Sequence, residues 1–273
     1  MFETRRPRST FISAITMVEL IYHSAVRSIR NTHGNALMSI ALNLAQVGIM
    51  VLAFYVMFSL LGLRGAAIRG DFLLYILSGI FLYMTHVKTL GAVAGSEGPS
   101  GAMMKHAPMN TMIQILANAF STLYIQVLSL AVILFGYHVA VTPFEVEFPA
   151  ATFGMLLLAW FTGAALGVVM LAIKPWAPSL VSVTTTVYQR ANMIASGKMF
   201  VANMLPADKR ALFDWNPLFH IIDQSRGFAF LNYNPRYSNW EYPLYMGIAF
   251  LMIGLMGEFY TRRHVSASWY ARR

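Results

Sequence analysis

The sequence contains no cysteine and little charge. Without cysteine there is no disulfide, no thiolate nucleophile and no Cys-based metal site. Charged residues make up 11% of the 273 positions, against roughly a quarter in an ordinary soluble domain. Several catalytic signatures are missing too. There is no Gly-rich loop followed by Lys and Ser/Thr, so nucleotide binding of the P-loop kind is excluded. There is no HExxH pair and no GxSxG elbow. The histidines, at 23, 33, 86, 106, 138, 220 and 264, are too scattered for a metal cluster. The first ten residues are basic and polar, and no short apolar run with a small-residue cleavage site follows, so no cleavable signal peptide is expected.

Apolar residues are abundant, at 57% of the chain, and they fall in long runs. A helical span needs roughly 20 mostly apolar residues. The runs predict an all-α membrane protein with six transmembrane helices, over about 35–61, 72–95, 112–138, 150–173, 180–195 and 242–260. An N-terminal amphipathic helix at 9–32 precedes them. Phe11, Ile15, Val18, Tyr22, Ala25, Val26 and Ile29 recur there at helical spacing, with Glu19, His23, Arg27 and Arg30 between them. Such a helix lies in the membrane interface, its basic face toward phosphates.

The fifth run differs from the others. It carries Ser182, Thr184, Thr185, Thr186, Tyr188, Gln189, Arg190 and Asn192. Polar groups at membrane depth face a bundle interior or a wet cavity. Helix packing and a pathway lining both fit, and the residues leave both open. The stretch after it, 196–242, is too polar to span, yet holds two apolar pieces, 199–205 and 216–230. Two short helices joined by a polar turn predict a re-entrant hairpin over 196–230, returning on the side it entered.

Orientation follows from Lys and Arg near the span ends. With the N-terminus inside, the inner segments hold Arg5, Arg6, Arg8, Arg27, Arg30, Lys105, Lys174, Arg262, Arg263, Arg272 and Arg273. The outer segments hold most of the acids, among them Asp71, Glu145, Glu147, Asp208, Asp214, Asp223 and Glu241. Both termini are therefore expected in the cytoplasm. The net charge of +9 reports this topology rather than nucleic-acid binding. Asp214, His220 and Asp223 lie close enough to imitate an acid–base site, but a polar network at a helix end is the expected role.

Two segments carry a family likeness. WNPLFHIIDQSRGFAF at 215–230 places Trp215, Asn216, Pro217, His220, Asp223, Ser225 and Arg226 before the last span. LLYILSGIFLYMTHVKTLGAVAGSEGPSGAMMKHAPMNTM at 73–112 joins the second span to a Pro-containing inner loop. Together with the order of spans and the FYTRRH tail, these resemble the permease subunits of type-2 ABC exporters for capsular polysaccharide or O-antigen. The chain departs from that pattern at the start of span one, GNALMSIALNLAQ, which has no Trp and no Pro.

The resemblance implies a single transmembrane domain over 1–273 that works as a homodimer in the bacterial inner membrane, with two copies of a separate ATPase subunit docked inside. ATP and Mg would bind that partner; this chain would bind no cofactor or metal and would not itself be an enzyme. The loop 96–110 would couple to the ATPase through Glu97, Lys105, His106, Pro108 and Asn110. Arg27 and Arg30 would lie on the cytosolic interface helix. Tyr75, Phe81, Tyr83, Tyr188 and Arg190 would line the path of a lipid-linked polysaccharide. Trp215, Asn216, Pro217, His220, Asp223 and Arg226 would form the outer gate. Periplasmic and outer-membrane export proteins would be further partners. Two other readings compete: a type-2 permease for a drug or lipid, and a membrane-embedded glycan transferase.

Overall fold

The computed structural model describes residues 10–33, 36–60, 62, 71–97 and 110–264. The described residues are helical, with no strand. The order is α1 (Thr10–His33), α2 (Ala36–Leu60), α3 (Phe72–Ala94), α4 (Thr111–Ala140), α5 (Pro149–Ile173), α6 (Pro178–Ala195), α7 (Ala207–Arg210), α8 (Pro217–Ala229) and α9 (Glu241–His264). Among the described residues five helices, α2, α3, α4, α5 and α9, are long and apolar enough to cross a membrane. The 18-residue α6, expected as a sixth crossing, is not among them, because its run of Ser, Thr, Gln, Arg and Asn dilutes its apolar positions.

The core is a slab of three helices, with α5 between α3 and α9. Small residues set its spacing. A Cβ on Gly163 of α5 would collide with the His86 carbonyl of α3, and one on Gly167 would sit 2.7 Å from the Val93 Cβ and 3.0 Å from the Leu90 carbonyl. A Cβ on Gly254 of α9 would sit 2.9 Å from the Val169 nitrogen of α5. Close backbone approach through small residues is how apolar helices gain contact where surrounding lipid removes any hydrophobic drive. The central position of α3 follows: most of its length is buried, whereas α2, α4 and α9 keep broad exposed apolar faces.

Polar side chains attach the flanking helices. Asn43 of α2 donates to Gln126 (3.3 Å) and Ser129 (2.7 Å) of α4, and accepts from the Lys88 ammonium of α3. Ser28 of α1 donates to Asn118 of α4 at 2.9 Å, and Asn118 donates to Ser96 Oγ, just past α3, at 2.7 Å. Thus α1 packs along α4 and touches α2, leaving Ile15, Val18 and Tyr22 as an exposed apolar stripe.

Between α6 and α9 the chain folds back on the bundle. Gly197 turns it with a φ of +73°, a conformation that favours glycine. The apolar piece 199–205, expected as a helix, makes only a 3-10 turn at Ala202–Met204. It is short, holds Val201 and Asn203, and is stopped by Pro206, so a helix has no room to propagate. The second piece forms α8 as expected, capped by Asn216 with Pro217 in its first turn.

Candidate functional site

The segment from Gly197 to Tyr242 folds into a clasp, and Arg226 is its centre. This side chain is fully buried, at 0% exposure. Its guanidinium donates to the carbonyls of Gly197 (2.8 Å), Lys198 (2.7 Å) and Phe200 (2.8 Å). It also lies over the Tyr75 ring of α3. A hydrogen bond from a charged donor contributes about 1.5–3 kcal/mol, so these bonds hold the turn after α6 onto α8. The turn fits because position 79 of α3 is glycine: a Cβ there would sit 2.8 Å from Arg226 Nη2 and 2.9 Å from the Lys198 Cα.

Asp223, one helical turn before Arg226, gathers the rest of the segment. Its carboxylate accepts from the Ala202 amide at 3.1 Å, from Ser238 Oγ at 2.6 Å and from the Tyr233 hydroxyl. Burial, then the Asp223 charge, push the Tyr233 phenol above its ordinary pKa, so it stays protonated and donates. His220 Nδ1 accepts from the Asn239 amide at 3.3 Å, which leaves Nε2 to donate to the Asp214 carbonyl at 2.8 Å. Asn216 donates to Asn192 Oδ1 and to the Ala195 carbonyl, both at 2.9 Å, tying α8 to the end of α6. Trp215 stays 62% exposed, and its carbonyl accepts from Tyr242 of α9. The expected gate residues therefore converge, and their bonds run within the chain's own 192–242 segment.

Lys198 stands apart. It is 3% exposed, and its ammonium has no hydrogen-bond partner. It lies 3.7 Å from the centre of the Tyr83 ring and 5.0 Å from that of Phe54. Burial pushes its pKa down to about 7, and the two ring faces offset part of the cost of its charge.

The expected pathway residues fall into two groups. Tyr75 and Phe81 lie in the apolar core, and Tyr83 donates to the Gln189 carbonyl at 3.0 Å. Tyr188 meets the buried His86 at 2.9 Å, while His86 Nδ1 faces Thr162 and the Ala159 carbonyl of α5. Only Arg190 is exposed. It belongs to an outward face of α6 that also shows Ser182, Val183, Thr184, Thr186 and Val187, with Val183 63% exposed. The inward face, with Val181, Tyr188, Gln189 and Asn192, supplies what contact α6 makes with α3 and α5.

At the opposite end of the bundle, the expected coupling loop is held at both of its bases. Asn110 caps α4 by accepting from the Met112 amide. Lys174, at the end of α5, donates to the carbonyls of Ala94 and Ser96, each at 3.1 Å, as a cation at the C-terminus of α3. Burial lowers the Lys174 pKa, and Glu97 opposes that shift. Glu97 is exposed. Lys105, His106 and Pro108 lie outside the described residues. Arg27 is exposed on α1; Arg30 belongs to the same helix, its side chain outside the description.

Sequence reasoning missed His86 and the group formed by Asn43, Lys88, Gln126 and Ser129. A signal existed: an ionisable residue inside an apolar run is itself conspicuous. Gly79 and Ser238 gave no such signal, because their roles depend on which loop meets which helix. Among the described residues no three His, Asp or Glu side chains gather as metal ligands. No protein-family model matches the chain, and no curated protein matches it.

Proposed function

We propose that this chain is the permease subunit of an ATP-driven exporter that moves a polysaccharide, carried on a lipid, out across the bacterial inner membrane. The observation that carries this reading is the outward face of α6. A helix bearing Ser182, Thr184, Thr186 and Arg190 on a surface that the described residues leave open is costly against lipid. It is favoured against water, a sugar chain or a second copy of itself. In this reading α6 is the sixth crossing, and two copies face their α6 helices across a shared path. The scattered hydroxyls meet sugar hydroxyls there, and Arg190 meets an anionic group of polymer or carrier.

The remaining features take their places around that path. The turn after α6 folds back to the level of Gly79, seven residues into α3 and so roughly 10 Å along it. A segment dipping that far and stapled by Arg226 and Asp223 suits a re-entrant outer gate. At the inner side, the loop 96–110 sits between two fixed bases and receives the stroke of a separate ATPase subunit. The amphipathic α1 lies at the cytosolic interface with Ile15, Val18 and Tyr22 toward lipid. Both termini are cytoplasmic, and ATP hydrolysis belongs to the partner.

Cysteine cross-linking tests the arrangement on a chain that has no cysteine of its own. Val183→Cys and Val187→Cys should form disulfide-linked dimers in membranes, whereas Phe135→Cys, on an exposed part of α4, should not. Cells carrying Arg226→Met should accumulate polymer in the cytoplasm. Monomeric α6 variants together with unchanged export would remove the proposal.

A further inference from the structure

A cleft opens at the hairpin end of the bundle, away from α6 and its polar face. Both α4 and α5 lean on α3 but touch each other little, so they leave a gap floored by α3. The gap encloses a cavity of about 240 Å³. Its floor runs from Leu74 to Leu82 of α3, a length of roughly 12 Å at the rise of an α-helix. Leu130 and Leu134 of α4 form one wall, and Phe153 and Leu156 of α5 the other. A 150 Å³ apolar cavity accommodates benzene, so this one accommodates a chain of roughly ten carbons. The shape is long, apolar and continuous with surfaces of α4 and α5 that face lipid.

Its upper end is chemically different. Ser225 of α8 lines it, is 0% exposed, and its hydroxyl has no hydrogen-bond partner. The two other hydroxyls of the lining are already satisfied, Ser78 by the Tyr75 carbonyl at 2.8 Å and Thr152 by the Phe148 carbonyl at 2.9 Å. A buried hydroxyl without a partner is costly, so Ser225 is a donor awaiting an acceptor. Glu145 stands at the same rim, exposed, and is the one charged residue of the lining. The connecting loop 141–148 holds Glu145 and Glu147 and no Lys or Arg.

We propose that this cleft binds a single membrane lipid with a primary-ammonium headgroup, phosphatidylethanolamine in chemistry. One acyl chain lies along Leu74–Leu82 between α4 and α5. The Ser225 hydroxyl donates to an ester carbonyl, and the ammonium meets the Glu145 carboxylate. A lipid with a net negative headgroup is disfavoured by Glu145 at the rim. The site is separate from the pathway proposed above. It needs neither the ATPase nor a polymer to be occupied.

The test is native mass spectrometry of the purified chain, released from detergent after titration with phosphatidylethanolamine or phosphatidylglycerol of identical acyl chains. Retention of phosphatidylethanolamine should exceed that of phosphatidylglycerol by about threefold to fivefold, the size expected of a part-exposed ion pair. Glu145→Lys, an exposed change that leaves the fold intact, should abolish or reverse that preference. Leu134→Trp, which fills the cleft, should reduce retention of both lipids. Equal retention of the two lipids by the natural chain would overturn the proposal. So would a preference that survives Glu145→Lys, or retention unchanged by Leu134→Trp in a chain that still unfolds cooperatively.

Discussion

The guanidinium carbon of Arg226 lies 4.1 Å from the centre of the Tyr75 ring. The first residue belongs to α8 and the second to the first turn of α3, so this contact joins the clasp to the slab. The ring covers one face of a cation whose two terminal nitrogens donate to three carbonyls, while Nε has no partner among the described residues. The charge is thus dispersed over groups that need no water.

Replacing Arg226 with Met should take the donor from the carbonyls of Lys198 and Phe200, while the Gly197 carbonyl keeps only the Phe200 amide at 3.3 Å. The expected loss is about 3 kcal/mol or more, read as a lower thermal unfolding midpoint in detergent. Arg226→Lys should recover only part of it, because one ammonium cannot match the planar fork that reaches Gly197, Lys198 and Phe200. An unchanged midpoint in the Met variant would show that the clasp does not hold the fold.

Two glycine substitutions should behave oppositely. Gly79→Ala puts a methyl against Lys198 and Arg226, and should destabilise the chain. Gly136→Ala, in α4, meets nothing within 4 Å and should be neutral or gain up to about 1 kcal/mol from helix propensity. Comparing the two unfolding midpoints separates close packing from propensity.

Stability should depend on pH through Lys198. Its amine has an ordinary pKa of 10.5 and is pushed down to about 7 by burial in the folded chain. Between those values the unfolded chain binds more protons than the folded one, so stability rises as pH rises. Below about 7 both states are charged and the full cost of the buried ammonium is present. Lys198→Met should flatten the dependence of the unfolding midpoint between pH 7 and 10. An identical slope in the variant would locate the titrating group elsewhere.

Replacing residues 98–109 with a Gly-Ser linker should stop polymer export and ATPase stimulation while leaving the unfolding midpoint near its original value. Both anchors, Lys174 bonded to the end of α3 and Asn110 at the start of α4, lie outside the replaced segment. Full export with the linker in place would count against the coupling role.

The sequence disclosed the apolar runs well, because a helix in lipid must be about 20 residues long and mostly apolar. Asn216 and Pro217 marked the start of α8 for an equally local reason, since the cap and the first turn need only neighbouring residues. The piece 199–205 misled, because apolar content said nothing of the Gly197 turn before it or of its short length. The family resemblance puts Tyr75 and Phe81 on the path, and in the single chain both are buried in the apolar core. Type cannot tell which face of α3 looks toward α8 and which toward open space; packing decides that. The pairing of Lys88 with Asn43 was likewise invisible without knowing that α2 and α3 lie side by side.

The glycine contacts of α5 have a mechanical consequence. A joint made by side chains has play, since a lysine or asparagine can swing to a new rotamer and keep its partner. A joint of backbone on backbone has none. The contacts of Gly163 and Gly167 with α3, and of Gly254 with α5, therefore make three helices into one stiff plank. Relative movement inside the chain then falls to the helices hung on it by flexible polar arms: α1 by Ser28, α2 by Asn43, α6 by Tyr188 and Gln189.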